Sequence, residues 1–300
     1  TTGIPVRLSD AMELIDRTTD FIVSNQHLQL VDELTTSKRF KNIKLLNYVD
    51  EYDPDIQKQF AAMTYRLSLD TYLVVFRGTD DTLIGWKEDF HMTYMDHVPA
   101  QKRAASYLQH VMKEFPKGHF LVAGHSKGGN LATYACSYLP DSLFEQVDAI
   151  YSYDAPGLNK AIIETEGYQR TSPNIRRFVP QGSIVGMMLE VPELTTIVKS
   201  RAFGGFAQHD AFTWEIKDYS FVTVSETSPD SQQTDLTLKQ WVRETSAEER
   251  KKFFDTFFGI FLDAGITSIN DLTDLKQLAK AKEILQNAQD LDPTEREMLE

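Results

Sequence analysis

The heptapeptide at residues 124–130, G-H-S-K-G-G-N, carries the residue types that nucleophilic catalysis at a serine requires. A strand-like run at 119–123 precedes it, and a helix-like run follows it to about residue 138. In this strand–turn–helix setting, G-x-S-x-G holds a serine at the tip of a crowded turn. The residues two before and two after the serine must then be nearly free of side chain, and both are glycine. Ser126 is therefore the candidate nucleophile; the alternative is a tight turn with an inert serine.

A histidine base is the second requirement, because a serine hydroxyl is a weak nucleophile near neutral pH. In folds that hold the nucleophile in such a strand–turn–helix segment, the three catalytic residues follow the chain order serine, acid, histidine. His209 is the only histidine after Ser126, although the chain contains seven. The sequence therefore predicts that His209 is the base, and the alternative is a loop histidine without a partner.

The acid that would orient His209 is less clearly marked. Eight acidic residues lie between Ser126 and His209, but only Asp154 stands directly at the end of an apolar strand-like segment. Open α/β sheets place their ligands at the carboxyl ends of strands, so this position favours Asp154. Its alternative role is to cap the turn D-A-P-G that it begins.

An acyl-transfer site also needs backbone N–H groups that are fixed in advance to receive a developing oxyanion. One should come from Lys127, directly after the nucleophile at the start of the helix. Another should come from the loop F-R-G-T-D at residues 76–80, where Gly78 permits a sharp turn and Thr79 carries an N–H and a hydroxyl. The alternative is a strand-to-loop turn with polar capping.

The elements around these residues alternate between strand and helix patterns, which predicts a mostly parallel sheet covered on both faces. The expected fold class is α/β, an α/β-hydrolase fold with a helical C-terminal appendage. Composition changes near residue 230, so residues 1–230 are predicted to form the hydrolase domain with an N-terminal helix, and residues 231–300 the appendage. The predicted strands are 60–69, 72–76, 119–123, 147–153 and 175–179 with a late hairpin over 212–224, and the predicted helices include 10–25, 100–114 and everything after residue 246.

Composition excludes several classes of protein. With 41% hydrophobic and 25% charged residues, the chain is an ordinary globular sequence rather than a disordered or coiled-coil one. The net charge of −13 disfavours nucleic acid or an anionic membrane surface as the main partner. Cys136 is the single cysteine, which leaves no intrachain disulfide or cysteine-rich metal site, and no motif implies a metal or organic cofactor.

The location and partners follow from what the sequence lacks. It has neither a run of about 20 apolar residues nor the features of a signal peptide, so it is predicted to be cytoplasmic and without an integral membrane segment. The expected partner is a small-molecule acyl ester, and the oligomeric state is left open.

Four phenylalanines at helical spacing, at positions 254, 257, 258 and 261, are expected to pack on the main domain; the alternative is an exposed acyl or membrane contact.

Three motifs together resemble the class 3 lipases. They are F-R-G-T-D with Gly85-Trp86 and Asp89-Phe90, then G-H-S-K-G-G-N-L-A, then Q-H-D with Trp214, in the family's order over about half the chain. More narrowly, G-H-S-K-G-G-N with S-Y-D-A-P-G-L resembles a bacterial branch of lipase-like α/β-hydrolases of unassigned function. The resemblance implies a serine esterase or lipase with Ser126 as nucleophile, His209 as base, and Thr79 and Lys127 at the oxyanion hole.

The sequence departs from that family at the acid. Class 3 lipases carry it after the strand that corresponds here to residues 175–179, in a D-P-V-P-like segment, and Ser183 falls about where that aspartate would be. Either Asp154 supplies the acid from one strand earlier, or the triad is incomplete. The function alternatives are a non-catalytic binding or scaffold protein on a hydrolase fold, or a thioesterase or acyltransferase.

Residues 91–99 occupy the place of a lipase lid in this resemblance. They contain Met92, Tyr94 and Met95, which with the apolar residues of 184–189 could wall an acyl pocket. Clusters of methionine and aromatic residues are also typical of a protein core.

Overall fold

A mixed β-sheet forms the centre of the chain, whose computed structural model describes residues 4–19, 23–80, 82–268, 286–287 and 291. Within these residues, nine strands join the sheet in the order β1-β2-β3-β4-β5-β6-β7-β8-β11. Neighbouring strands from β4 to β8 are parallel, and the pairs outside that block are antiparallel. The strands are β1 (Val6–Arg7), β2 (Lys44–Asp53), β3 (Lys58–Arg66), β4 (Thr71–Phe76), β5 (His119–His125), β6 (Val147–Tyr153), β7 (Ile175–Pro180), β8 (Thr195–Val198), β9 (Ile216–Lys217), β10 (Ser220–Phe221) and β11 (Thr223–Val224).

Helices flank this sheet and fill the connections between its parallel strands. They are α1 (Leu8–Met12), α2 (Asn25–Thr36), α3 (Leu83–His91), α4 (Pro99–Glu114), α5 (Lys127–Ser137), α6 (Asp141–Phe144), α7 (Lys160–Ile163), α8 (Glu166–Thr171), α9 (Gly205–Gln208), α10 (Pro229–Glu244) and α11 (Ala247–Asp263). The predicted fold class, an α/β-hydrolase with C-terminal helices, is confirmed. Among the described residues, no helix is both long enough and apolar enough to cross a bilayer.

The main core lies between the parallel strands and the two helices α4 and α5. Apolar side chains recur on one face of α4, so Ala104, Leu108 and Val111 are buried against strand residues such as Val74 and Val122. Small residues on α5, among them Ala132, let that helix approach the sheet closely. This packing fixes the start of α5, which is where the candidate nucleophile lies.

A second cluster joins the C-terminal helix α11 to α3. Leu83 and Phe90 of α3 pack with Phe254 and Phe258, and the Phe90 and Phe254 rings stack with centroids 4.5 Å apart. Lys87 Nζ lies 2.6 Å from an oxygen of Asp255. The backbone N–H of Leu83 also donates to the carbonyl of a residue just beyond α11, at 2.9 Å. These contacts, which we call the α3–α11 brace, hold the helix that follows the F-R-G-T-D loop.

The brace confirms that the phenylalanine stripe packs on the main domain through Phe254 and Phe258, whereas Phe257 is 40% exposed. Of the two alternatives for residues 91–99, the burial of Met92 and Val98 favours a protein core over the wall of an acyl pocket. The carbonyl of Thr93 also accepts a hydrogen bond from Arg250 of α11.

Several predicted bounds need correction. The helix expected over 10–25 is wrong: α1 ends at Met12, and α2 begins at Asn25. The late hairpin is formed only by β9 and β10, while β11 pairs with β8 in the main sheet. The helix predicted for everything after residue 246 is wrong at 264–268, because α11 ends at Asp263, and its parts at 269–285, 288–290 and 292–300 lie outside the described residues. The domain boundary at residue 230 stays a prediction.

Candidate active site

Ser126 occupies the turn between β5 and α5 with φ 57° and ψ −134°. A non-glycine residue with positive φ is strained, and such strain is concentrated at functional sites. The flanking glycines make the turn possible. A Cβ on Gly124 would lie 2.1 Å from the carbonyl carbon of Gly128, and a Cβ on Gly128 would lie 2.1 Å from the carbonyl oxygen of Phe76. Both positions therefore tolerate only glycine, as the motif predicted.

The pairing of β5 with β6 sets Ser126 beside Asp154. His125 pairs with Tyr153 in the parallel register, and the N–H of Ser126 donates to the Tyr153 carbonyl at 2.9 Å. Asp154 follows directly, with φ 41° and a fully buried side chain. Its carboxylate therefore lies at the same sheet edge as the serine.

Asp154 uses both carboxylate oxygens. Oδ2 lies 2.6 Å from Nδ1 of His209, and Oδ1 accepts from the hydroxyl of Ser183 at 2.5 Å. Ser183 Oγ also accepts from the N–H of Gly186 at 2.9 Å, so its hydroxyl has a fixed direction. Ser183, the residue that the resemblance to class 3 lipases sets near the family's acid, is thus a hydrogen-bond partner of Asp154.

His209 is held from several sides. Its carbonyl accepts from Nε2 of His125 at 2.8 Å, and the two rings lie 4.4 Å apart. Burial, and then the neighbouring His209 ring, lowers the pKa of His125 to about 4, so His125 is neutral at neutral pH. The side chain of His209 remains 20% exposed, which leaves its ring accessible from the sheet edge.

Ser126 and His209 are not joined by a hydrogen bond. Ser126 Oγ has no hydrogen-bond partner within the described parts of the chain, and the bonded ring nitrogen of His209 is Nδ1. Catalytic hydrogen bonds are often long in ligand-free structures and tighten when substrate binds. Nε2 is therefore the ring nitrogen left for a proton from Ser126.

The two predicted oxyanion donors flank the nucleophile. A Cβ on Gly78 would lie 3.3 Å from Cβ of Ser126, which shows how closely the F-R-G-T-D loop approaches the serine. Across the described residues, the backbone N–H groups of Thr79 and Lys127 have no acceptor. The Thr79 hydroxyl, in contrast, donates to the Asp89 carboxylate. Two backbone N–H groups are thus free beside Ser126, while the threonine hydroxyl is engaged elsewhere.

The side chain of Lys127 has a role that sequence reasoning missed. Nζ lies 2.5 Å from Oε2 of Glu88, and both side chains are fully buried. Nζ also donates to the carbonyl of Gln59 at 2.8 Å and lies 3.9 Å from Asp89. Glu88 in turn accepts from the N–H groups of Gln59 and Ala100, at 3.0 and 2.9 Å. We call these residues the Lys127 cluster; it joins β3, α3, α4 and α5 beneath the predicted oxyanion donors.

A sequence signal for this cluster exists. A lysine that is buried between a helix and a sheet needs a carboxylate partner, because lysine is almost never fully buried without one. The acidic pair Glu88-Asp89 lies ten residues after Gly78 of the F-R-G-T-D loop, in a helix otherwise rich in apolar residues.

The described residues contain no group of three or more His, Cys, Asp or Glu side chains suited to hold a metal ion.

Comparison with known protein families gives one assignment. The Mbeg1-like family profile matches residues 34–259, three quarters of the chain. The chain belongs to the Mbeg1-like family. No functionally curated protein sequence matches it significantly. All five residues predicted for the site, Thr79, Ser126, Lys127, Asp154 and His209, fall within the Mbeg1-like match.

Solved structures that resemble this Mbeg1-like chain include fungal lipases. The native Rhizomucor miehei lipase propeptide complex is 15% identical with a TM-score of 0.37, over 60% of this chain and 70% of that one. The lipase from Rhizopus microsporus var. chinensis is 18% identical with a TM-score of 0.38; the match covers 54% of this chain and 63% of that one, less than two thirds of its length. An MDLA mutant from Penicillium cyclopium is 13% identical with a TM-score of 0.43, over 76% and 85%.

Lys127→Met is expected to destabilise this Mbeg1-like chain by about 3–5 kcal/mol, because it leaves the buried Glu88 carboxylate without its cation. The check is urea unfolding of Lys127→Met, Glu88→Gln and the double variant. The double variant is expected to be less destabilised than the sum of the single variants, since it contains no unpaired charge. A Lys127→Met protein within about 1 kcal/mol of the parent would contradict the importance of the pair.

Asp89 is expected to make stability depend on pH. Burial raises the pKa of its carboxyl to about 7, against the opposing charge of Lys127. Since an unfolded aspartate titrates near ~3.9, the folded chain binds one more proton between these values. The stabilisation is therefore present below about pH 4 and lost as pH rises to 7.

The measurement is the melting temperature of the parent and of Asp89→Asn between pH 5 and pH 8. Burial lowers the pKa values of His91 and His125 to about 4, which acts in the opposite sense, but both histidines are present in both proteins. The difference between the curves therefore reports Asp89, and the parent should lose stability relative to Asp89→Asn as pH rises to 7. Parallel curves would show that the carboxyl does not titrate in this range.

Proposed function

We propose that this chain is a serine hydrolase that cleaves carboxylic esters through an acyl-Ser126 intermediate. The observation that carries the proposal is the 2.6 Å hydrogen bond between the buried Asp154 carboxylate and Nδ1 of His209, at the sheet edge where Ser126 sits in a strained turn. A carboxylate on Nδ1 leaves Nε2 as the unprotonated nitrogen, which is the tautomer that a general base requires.

The proposed reaction begins when Nε2 of His209 takes the hydroxyl proton of Ser126 as Oγ attacks the ester carbonyl. The tetrahedral intermediate has a negatively charged oxygen, which the N–H groups of Thr79 and Lys127 receive. The imidazolium, stabilised by Asp154, then gives its proton to the leaving alcohol as the C–O bond breaks. A water molecule, deprotonated by His209, attacks the acyl-enzyme, and its proton passes to Ser126 Oγ as the acid is released.

The free backbone donors support this order of steps. The N–H of Thr79 and the N–H of Lys127 are without acceptors across the described residues, and the latter is at the positive end of the α5 dipole. The Thr79 hydroxyl already donates to Asp89, so in this proposal the oxyanion is bound by the two N–H groups. The Lys127 cluster supports both loops from below, which keeps the donors fixed during the reaction.

The test is labelling by a fluorophosphonate probe, with the adduct located by peptide mass spectrometry. We expect a covalent adduct on Ser126 in the parent and none in Ser126→Ala. Ser142→Ala, which changes an exposed serine at the start of α6, is the matched control and should be labelled like the parent. Hydrolysis of p-nitrophenyl butyrate and of the corresponding thioester then separates an esterase from a thioesterase.

A folded parent that is neither labelled nor active on either substrate would contradict the proposal. It would instead favour the other function class, a binding or scaffold protein on a hydrolase fold. The missing hydrogen bond between Ser126 and His209 would then be a property of an inert site.

A further inference from the structure

A cavity of about 290 Å³ lies between the hydrolase body and the C-terminal helices. Its walls come from the end of α3, the loops that follow β6 and β7, and the helices α10 and α11. The apolar part is formed by Phe90, Leu158, Met188, Leu189, Trp241 and Phe254. Ser126, His209 and Thr79 do not line it, so this cavity does not include the residues of the proposed ester site. Its size is near the lower end of small-molecule sites.

The polar feature of this cavity is Arg250. Its side chain lines the cavity, and the residue is only 9% exposed. Nε donates to the Thr93 carbonyl at 2.9 Å, and Nη1 donates to the carbonyls of Val242 at 2.7 Å and of Thr245. All of these acceptors are neutral. The guanidinium is thus fixed in position by backbone groups rather than by a charge.

No carboxylate forms an ion pair with Arg250 among the described residues, and the neighbouring Glu249 carboxylate acts on it only at longer range. Across the described parts of the chain, no Asp or Glu oxygen lies within 4.0 Å of it, and Glu249, its neighbour, is engaged by Ser246. Nη2 donates to no acceptor and keeps accessible surface. Burial lowers the pKa of the Arg250 guanidinium, as expected for a cation moved out of water. Buried charges in proteins are normally paired, so a guanidinium held only by neutral backbone acceptors in the described residues is suited to bind an anion.

The mouth of the cavity adds further basic groups. Arg243 lies there without an ion pair in the described residues, beside Lys239, which pairs with Asp235 at 2.8 Å. Lys160 is on the opposite side and pairs with Glu164 at 3.7 Å, and Glu190 is the single acidic residue of the lining. A ligand that enters the cavity therefore passes the unpaired Arg243 and reaches an apolar wall with a fixed guanidinium.

We propose that this cavity binds a single-chain amphiphile with an anionic head group, whose head contacts Nη2 of Arg250 and whose hydrocarbon chain lies among Phe90, Leu158, Met188 and Trp241. A carboxylate and a phosphate monoester share this chemistry, because either can accept from a guanidinium N–H. The chain length is bounded by the cavity, so affinity should rise with each methylene until the cavity is full. Burial of one methylene corresponds to about a fourfold change in Kd.

The experiment is isothermal titration of the parent with octanoate, decanoate, dodecanoate and dodecyl phosphate, each below its micelle concentration. We expect one ligand per chain and about a fourfold gain in affinity per methylene between the shorter chains. Decanol, the neutral match of decanoate, should bind at least about tenfold more weakly, because it lacks the charge that Arg250 requires. A difference between dodecanoate and dodecyl phosphate identifies the preferred head group.

Variants place the ligand in this cavity. Arg250→Met removes the anchor but also three hydrogen bonds to the backbone, so the deciding variant is Met188→Trp, which fills the cavity and leaves Arg250 unchanged. Met188→Trp should weaken decanoate binding at least about tenfold. Leu194→Trp is the matched control, because Leu194 is 95% exposed and does not line the cavity; it should bind like the parent.

Three results would overturn the proposal: no saturable binding by the folded parent, equal affinity for decanol and decanoate, or unchanged binding by Met188→Trp. The titration needs no turnover, so a chain that fails as an esterase can still pass this test. The two proposals therefore fail separately.

Discussion

Ser126→Ala is expected to reduce kcat for p-nitrophenyl butyrate by at least about 10³-fold, as loss of a triad nucleophile does in serine hydrolases. Oγ is the only atom removed, and no hydrogen bond within the described residues depends on it. The backbone at φ 57° is equally strained for serine and alanine, so the turn should persist. The measurement is steady-state kinetics on protein whose melting temperature matches the parent.

The residual rate is informative in its own right. A variant that keeps the oxyanion donors should remain faster than the uncatalysed reaction, because Thr79 and Lys127 still stabilise charge when water attacks. Ser142→Ala should retain the parent's kcat. Turnover of Ser126→Ala at the parent's rate would show that the turn at residues 124–130 is only a structural connection.

Asp154→Asn is expected to lower kcat by about 10³–10⁴-fold with little change in shape. An asparagine amide preserves the volume and tolerates the positive φ of this position. It can still accept from Ser183 through its oxygen, but its NH₂ then faces Nδ1 of His209. Nδ1 must then be the unprotonated nitrogen that accepts from this amide. The ring proton is therefore on Nε2, and His209 cannot act as the base.

Glu190→Gln and Glu193→Gln are the matched controls for Asp154→Asn, since both remove a carboxylate from the region between nucleophile and base. Glu193 accepts from the hydroxyl of Tyr168, and Glu190 is exposed, so neither contacts His209. Both controls should keep kcat within a few-fold of the parent. A folded Asp154→Asn with near-normal kcat, together with an inactive Glu190→Gln, would move the acid to the strand order of ordinary class 3 lipases.

The core of the candidate site could be predicted because its signals are local. The turn at Ser126 is specified by its own glycines, and Asp154 ends a strand that the apolar pattern marks clearly. His209 could be chosen because no other histidine follows the nucleophile. The Ser183–Asp154 hydrogen bond was out of reach, because it joins residues 29 positions apart through the side-by-side packing of two loops.

The missed elements have physical reasons too. Strand β2 contains three acidic residues and alternates exposed with half-buried positions over most of its length, so its pattern looks polar. Strand β8 has four residues, too few for a period-two pattern to be read. The N-terminal pattern at 10–25 fits one helix, but the chain leaves helical structure after Met12. The Lys127 cluster is hard to predict, because lysine side chains are mostly exposed and the partner Glu88 lies 39 positions away.

The α3–α11 brace sets an order of events during synthesis. Phe90 and Phe254 are 164 positions apart (254 − 90), and their rings stack in the folded chain. At roughly 5–20 residues per second, the ribosome adds Phe254 about 8–33 s after Phe90. Through that time, the apolar face of α3 has no partner and is open to chaperones or to other nascent chains. The packing partner of the helix that follows the F-R-G-T-D loop is therefore translated long after Ser126, the candidate nucleophile.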